Sequence, residues 1–213
     1  MKVLALNGSP RKDGNTALAM QAVTESLERE GIAVEHIHVG GMSLQGCVAC
    51  GGCAVRRDGT CALADDGLNL IIQKFQSADG LLLASPVHYS DITARMKCFL
   101  DRAFYVNNNS GNFLRHKVGA ALVVARRTGS SHALDTLLHY LTYCEMVIPG
   151  SFYWTTAHGG ITAGEVVRDV EGMQIMSRLG RNMAWLLKSL SYTGDKVPAP
   201  EAEIRTLYSY IRD

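Results

Sequence analysis

The stretch VLALNGSPRKDGNT, residues 3–16, is the starting point for predicting the fold. Val3–Leu6 is a short apolar run that ends in Asn-Gly-Ser-Pro, which is typical of a buried strand leaving a parallel sheet. Gly8 allows a sharp turn of the backbone, and apolar residues then recur at helical spacing from Thr16 to Glu30. The stretch therefore predicts a strand, a loop over Gly8–Thr16 and the N-terminus of a helix.

The loop carries the residue types that hold a phosphate. Ser9, Asn15 and Thr16 supply short donors, Arg11 supplies a charged donor, and the following helix presents its free amides to an anion. A plain strand-to-helix turn capped by Asn or Thr would carry the same residues. The loop is neither a Walker loop nor a Gly-x-Gly-x-x-Gly dinucleotide motif, because the required glycine and lysine positions are absent.

Strands and helices alternate along the rest of the chain, which indicates one α/β domain over residues 1–213. The other predicted strands are Ile32–Val39, Gly80–Ser85, Val118–Ala125 and a fifth that begins at Met146–Ile148. The other predicted helices are Asp66–Gln76, Ile92–Tyr105, Ser131–Glu145 and Gly172–Leu190. This alternation predicts a doubly wound parallel sheet with helices on both faces. Gly159–Gly164 is expected to be flexible, and a tail over about 191–213 to contain a short helix at Ala202–Ile211.

Composition excludes several classes of function. The 213 residues include 21 basic and 20 acidic side chains, for a formal charge of +1, and no basic cluster is interleaved with aromatics. We therefore expect no nucleic-acid or membrane partner. Val3–Leu6 is too short for the core of a signal peptide, so we expect a cytoplasmic protein whose cysteines are reduced unless they bind metal.

In parallel α/β sheets, ligands bind outside the carboxyl ends of the strands. Two further segments should meet the first loop there: SPVHYSDITARMKCFLDR at 85–102 and ARRTGSSH at 125–132. Pro86 stiffens the second segment, and His88 and Tyr89 can lie beside a flat ring, although either one alone would be interpreted as a surface loop residue.

The first two segments together resemble the NADPH-dependent FMN reductases, a branch of the flavodoxin-like superfamily, over about residues 1–190. The resemblance implies a five-stranded sheet of order 2-1-3-4-5. It also implies that FMN is the cofactor, with its phosphate in the first loop, its isoalloxazine ring along the second segment and the third segment on the other side of the ring. The cofactor-binding residues implied are Ser9, Arg11, Asn15, Thr16, Pro86, Val87, His88, Tyr89, Ser90, Arg126, Thr128 and Gly129.

Four cysteines are concentrated in the irregular segment from about 40 to 65, with the spacing Cys47-x2-Cys50-x2-Cys53-x7-Cys61. This pattern resembles the iron–sulfur flavoproteins of the same superfamily and implies a [4Fe–4S] cluster. Two alternatives stay open: thiols without a cluster, reduced or as a disulfide, and a structural zinc site. The two remaining cysteines, Cys98 and Cys144, occur in apolar helical contexts and are expected to be buried packing residues.

The resemblance predicts an oxidoreductase in which FMN carries the chemistry and no side chain is catalytic. NAD(P)H or a ferredoxin-type donor would supply electrons to a small-molecule or flavin acceptor. An electron carrier without a substrate pocket and a non-catalytic metal-binding module are the alternatives. Relatives form dimers and tetramers, so we expect at least a homodimer, with Asn107–Lys117 or Phe152–His158 at the interface.

Overall fold

The computed structural model describes residues 1–194, 196–203, 206 and 208. The strands are β1 (Lys2–Asn7), β2 (Ala33–Ile37), β3 (Gly80–Pro86), β4 (Val118–Ala125) and β5 (Thr156–His158). The α-helices are α1 (Asn15–Arg29), α2 (Gly52–Arg56), α3 (Leu68–Ser77), α4 (Ala94–Asn109), α5 (Ser130–Tyr143) and α6 (Val170–Thr193). Short 3₁₀ turns lie at Val39–Gly41 and Glu165–Arg168.

The strands form one sheet in the order β2-β1-β3-β4-β5, and every neighbouring pair is parallel. This is the flavodoxin-like order, so the predicted fold class is confirmed. The order reverses at β1, since β2 lies on one side of it and β3 on the other. The carboxyl ends of β1 and β3 therefore border a switch point of the kind where ligands bind.

Side chains from successive strand residues point to opposite faces of the sheet and build two cores. Leu4 and Leu6 of β1 pack with α3, α4 and α5, whereas Val3 and Ala5 pack with α1 and α6. All residues of β4 are buried, as expected for a strand covered by helices on both faces. The two cores hold the ends of the strands, and the loops that leave them, in fixed relative positions.

The predicted position of the fifth strand was wrong. Val147 makes only a one-residue bridge to Val118, at the start of β4. Regular pairing resumes at β5, beside the end of β4. Pro149 and Gly150 follow the bridge, and because proline has no amide hydrogen to donate, it interrupts the ladder.

Smaller differences concern the irregular segments. The structure has a 3₁₀ turn and helix α2 in the segment at 40–65, where no regular element was predicted. Helix α4 continues to Asn109, so the predicted excursion at Asn107–Lys117 begins inside the helix. The helix predicted at Ala202–Ile211 falls mainly on positions that lie outside the described residues.

Candidate functional site

Loops after β1, β3, β4 and β5 enclose a cleft of ≈ 440 Å³ at the carboxyl edge of the sheet. This volume lies within the roughly 300–1,000 Å³ typical of small-molecule sites. The cleft is lined by Ser9, Pro10, Arg11, Gly14, Asn15, Thr16, Pro86, Val87, His88, Val124, Arg126, Gly159, Gly160 and Ile161. These lining residues include two arginines and no carboxylate, so the cleft favours an anionic ligand.

The loop after β1 is fixed by its own side chains. The Ser9 amide donates to Asn7 Oδ1 at 2.9 Å, and the Arg11 amide donates to Ser9 Oγ at 3.1 Å. Ser9 is buried, and its hydroxyl oxygen already accepts one bond within the loop. The predicted phosphate donor therefore also shapes the loop.

Helix α1 begins without a side-chain cap. Its N-cap residue is Gly14, and the Leu18 amide makes the first bond back to the Gly14 carbonyl at 3.2 Å. The amides of residues 15–17 precede that bond and belong to the group that a helix leaves without an internal acceptor. Because Gly14, Asn15 and Thr16 line the cleft, this helix terminus provides backbone donors and a positive dipole end for an anion.

Asn15 has a role that local sequence does not indicate. Its Nδ2 donates to the carbonyls of Gly160 (3.2 Å) and Thr162 (3.0 Å), and its Oδ1 accepts from the amides of Gly164 (2.9 Å) and Val166 (3.2 Å). The side chain thus holds the segment after β5, which the sequence predicted to be a flexible stretch. Its backbone amide remains part of the helix terminus.

Arg11 supports the same segment, because its Nη1 donates to the Ile161 carbonyl at 2.8 Å. Gly159 packs against Asn15 so closely that a Cβ there would lie 2.8 Å from Asn15 Cγ. Sequence pattern does not assign residues 159–161 to the cleft, because it places the fifth strand too early. A correct position for β5 would have brought its carboxyl end to the same edge.

The loop after β1 is also held by His38, which follows β2, and by Thr93, the N-cap of α4. His38 Nε2 lies 2.8 Å from the Ser9 carbonyl, so this nitrogen carries the proton and donates. Thr93 Oγ1 donates to the Gly8 carbonyl at 2.7 Å while it caps α4 by accepting from the Met96 amide. These bonds fix the carbonyls of Gly8 and Ser9. Because the amides of Gly8, Ser9, Arg11 and Gly14 also have partners within the fold, the backbone donors for a ligand are those at the start of α1.

The second segment contains a tight, strained turn near its start. His88 and Asp91 exchange backbone hydrogen bonds of 2.7 and 3.0 Å, and the two residues between them, Tyr89 and Ser90, have φ values of +49° and +64°. Left-handed backbone at two successive non-glycine residues is costly and persists only where the surroundings impose it. Gly129 supplies part of that constraint, because its own Cβ position would lie 2.8 Å from Ser90 Cα.

The predicted ring-contacting residues divide into two groups. Pro86, Val87, His88 and Arg126 line the cleft. Tyr89, Ser90, Thr128 and Gly129 lie outside the lining, and Tyr89 is fully exposed. The turn at 88–91 and the loop around Gly129 therefore form the outer rim of the cleft. The Tyr89 ring on this rim is exposed to solvent.

All four clustered cysteines line one small cavity of ≈ 20 Å³ between the cysteine segment and α4. Cys53 and Cys61 are buried, Cys47 and Cys50 are exposed, and all four are free thiols. Burial raises the pKa of the Cys53 thiol. We call this group, together with Arg102, the cysteine pocket.

The four cysteines line one cavity without forming a ligand set. Among the described residues, no group of three or more His, Cys, Asp or Glu side chains has the arrangement of a metal site. A cavity of ≈ 20 Å³ has room for about one water molecule. The donor chemistry of four thiols thus fits an iron–sulfur cluster, whereas the space between them would have to widen.

Arg102 is the charged member of the cysteine pocket. Its Nε donates to Cys61 Sγ at 3.3 Å, and its Nη1 donates to the Gln45 carbonyl at 3.1 Å and to the Asp66 carboxylate. Burial raises the pKa of Asp66, but the hydrogen bond and charge of Arg102 outweigh it, so this pKa lies below its usual value. Arg102 is the last residue of the second segment, and its sequence context alone predicts no role for it.

The other two cysteines, Cys98 and Cys144, differ in how deeply they are buried. Cys144 is fully buried beside Asn107, as predicted for a packing residue. Burial raises the pKa of the Cys144 thiol to about 12. Cys98 is only partly buried and lies next to Gly46, so the expectation that it is a buried residue was wrong.

Comparisons with known proteins agree with this geometry. Residues 1–160 match the family described as NADPH-dependent FMN reductase. An iron–sulfur flavoprotein of Methanocaldococcus jannaschii is 30% identical over 194 residues, with 88% of this chain and 98% of the relative covered. An iron–sulfur flavoprotein of Methanosarcina thermophila is 29% identical over 199 residues, with 92% and 100% covered.

A solved structure with a similar fold is that of RosB with bound 8-demethyl-8-formylriboflavin-5'-phosphate. It superposes with a TM-score of 0.72 at 19% identity, and the match covers 100% of this chain and 96% of RosB. In the part of the chain that the structure describes, no helix combines the length and apolarity needed to span a bilayer.

Proposed function

The chain belongs to the NADPH-dependent FMN reductase family, and from this premise we propose that it is an oxidoreductase that holds FMN in the cleft at the carboxyl edge of its sheet. The observation that carries the proposal is the convergence of four loops around a cleft with an uncapped helix terminus at one end. The cleft also lacks carboxylates. These features suit a phosphate ester attached to a flat ring.

The FMN phosphate would lie against the amides at the start of α1, beside Ser9 and Thr16. The ring would extend along Pro86, Val87 and His88 toward the rim that carries Tyr89, Ser90, Thr128 and Gly129. Arg126 lines the cleft between these ends and supplies a positive charge. Arg11 and Asn15 would act mainly by holding the segment after β5 across the phosphate end.

Bound FMN supplies both hydride and single-electron chemistry. The residues of the chain bind the cofactor, orient its ring and exclude water from the phosphate end. No side chain is proposed as a general acid or base. The segment Gly159–Ile161 contributes to this enclosure, because it lines the cleft and is held there by Asn15 and Arg11.

We propose NAD(P)H or a ferredoxin-type protein as the electron donor and a small molecule or free flavin as the acceptor. The description of the family supports NADPH. Anaerobic protein loaded with FMN would be mixed separately with NADPH, NADH and reduced ferredoxin, and bleaching of the flavin absorption would identify the donor. Protein that acquires no flavin absorption after incubation with FMN contradicts the main proposal.

We further propose that Cys47, Cys50, Cys53 and Cys61 hold a [4Fe–4S] cluster. Their convergence on one pocket and the names of the two archaeal relatives support this assignment. Iron and sulfide analysis of anaerobically purified protein tests it. About one zinc per chain without sulfide would instead support a structural zinc site, and metal-free protein would support thiols.

We also propose that the protein is at least a homodimer. The segment that contains Phe152, Tyr153 and Trp154 exposes more than half of each aromatic side chain, which is unusual for a surface that faces only water. Light scattering coupled to size-exclusion chromatography gives the mass in solution. A monomer at working concentration contradicts this proposal.

A further inference from the structure

Arg102 is almost completely buried, with 1% of its side chain exposed. Arginine is rarely buried to this degree unless it is paired, because removing its charge from water is costly. Its partners are a carbonyl, a carboxylate and a thiol sulfur, all contributed by the cysteine segment and its flanks. The guanidinium therefore faces the cysteine pocket from α4.

The partners of Arg102 lie at both ends of the segment. Gln45 precedes Cys47, Cys61 is the last of the four cysteines, and Asp66 follows it. A single guanidinium thus joins the two ends of the stretch that carries every cysteine of the pocket. Its fork of fixed donors suits this task, and a lysine would reproduce the charge but not the geometry.

The charge of Arg102 is paired with one carboxylate, which is itself partly open to water. The Asp66 carboxylate is the one acidic partner among its described contacts, and 19% of that side chain is exposed to solvent. Four thiolates around a metal centre would add negative charge within the same pocket. Net charge and hydrogen bonds to sulfur are among the factors that set the reduction potential of such a centre.

We propose that Arg102 is the positioning residue that raises the reduction potential of the centre held by the four cysteines and joins the two ends of their segment. This inference rests on the proposed cluster. One-electron reduction adds a negative charge to the pocket, and a buried guanidinium in hydrogen-bond contact with Cys61 favours the reduced form. Without Arg102, the centre should be harder to reduce.

The test measures midpoint potentials of the purified full chain by a redox titration with dithionite as the electron source, monitored by electron paramagnetic resonance. Arg102→Gln should shift the potential of the cluster to a more negative value and lower its iron content. Arg102→Lys, which keeps the charge, should restore most of the potential. Asp66→Asn, which removes the counter-charge, should shift the potential in the positive direction.

Arg56→Gln is the matched control. Arg56 lies in the same segment and pairs with Asp58, but about half of its side chain is exposed, so water screens its charge. Its removal should leave the potential unchanged. If the midpoint potential shifts in opposite directions in Arg102→Gln and Asp66→Asn and does not shift in Arg56→Gln, the cause is the change of charge and not structural damage.

Two results would overturn the inference. One is a wild-type potential in both Arg102 variants, and the other is a shift of the same sign in Arg102→Gln and Asp66→Asn. If Arg102→Gln does not fold or retain iron, the direction of the shift in Asp66→Asn still decides the sign. Wild-type protein that lacks iron and sulfide refutes the cluster and this inference together, whereas a cluster whose potential ignores all three variants refutes the inference alone.

Discussion

Arg95 and Arg102 lie two turns apart on the same side of α4, about 10 Å along the helix axis. Arg95 Nη1 donates to the Gly40 carbonyl at 2.8 Å, and Arg102 Nη1 donates to the Gln45 carbonyl at 3.1 Å. Gly40 packs against the loop after β1, and Gln45 precedes the first cysteine. One helix therefore sets the spacing between the cofactor cleft and the cysteine pocket.

Replacement of Asn15 by Ala should weaken FMN binding about tenfold. The variant loses four hydrogen bonds to the segment after β5. Much of that loss is compensated by water, so the net cost is about one hydrogen bond, or ~1.4 kcal/mol. Quenching of flavin fluorescence on titration with protein gives the dissociation constant.

Asn182→Ala is the control for this prediction. Asn182 also donates to a backbone carbonyl, that of Gly150 at 2.8 Å, but it lies outside the cleft lining. The control should bind FMN as the wild type does. Equal affinities of Asn15→Ala and the wild type would show that the segment after β5 does not help to hold the cofactor.

Gly40→Ala should destabilise the fold by about 1–3 kcal/mol and impair FMN binding. A Cβ at this position would lie 2.0 Å from the Ser9 carbonyl oxygen and 2.3 Å from its carbon, and these backbone atoms can move only if the phosphate-binding loop moves. Urea denaturation measures the loss. Gly150→Ala, where the added Cβ meets no atom within 4 Å, should be tolerated.

Serine in place of any one of Cys47, Cys50, Cys53 and Cys61 should lower iron below about four atoms per chain. All four line the same pocket, and a serine hydroxyl is a poor substitute for a thiolate toward iron. Iron and acid-labile sulfide are measured after anaerobic purification.

Cys98→Ala should retain the full iron content. Cys98 is on α4 and lies beside Gly46, but it is not part of the pocket lining. Loss of iron in this variant would show that the four-cysteine assignment is wrong. Full iron content in every one of the serine variants would also show that the four-cysteine assignment is wrong.

Tyr140 should make stability depend on pH in the alkaline range. Burial and the hydrogen bond to Asp101 raise the pKa of Tyr140 from 10.0 to about 12. Because the folded pKa lies above the unfolded value, this stabilisation is fully present below pH 10 and is lost as pH rises through about 12. Urea midpoints measured across that interval should fall for the wild type.

Tyr140→Phe isolates this effect, since it retains the ring that packs edge-on against Phe104 at 5.3 Å between centroids. The stability advantage of the wild type over the variant should shrink as pH rises through this interval. Cys144 titrates in both proteins, so its contribution cancels. A constant difference across the interval would contradict the assignment of the raised pKa to Tyr140.

Local pattern was sufficient for β1–β4 and for every α-helix except α2. The apolar run Leu81–Leu83 and the helical spacing of α6 depend on residues that are near one another in the chain. The predicted bounds of these elements therefore lie within a few residues of the observed ones. The fifth strand was misplaced because Met146–Ile148 is as apolar as a strand, yet Pro149 stops its pairing after one bridge. Whether Met146–Ile148 or Thr156–His158 pairs with the edge of β4 depends on the assembled sheet and is not visible in the local pattern.

The geometry of parallel sheets and the family resemblance together predict that the loop after β1 meets the segment at 85–102. Sequence pattern alone is sufficient for the order of strands and helices, for that loop and for the spacing of the four cysteines. These features depend on residues close together in the chain. Three contacts are seen only in the folded chain: Asn15 holds the segment after β5, Gly40 packs against Ser9, and Arg102 enters the cysteine pocket. The partners of such contacts are distant in sequence and meet only when the sheet is assembled, so no local pattern encodes them.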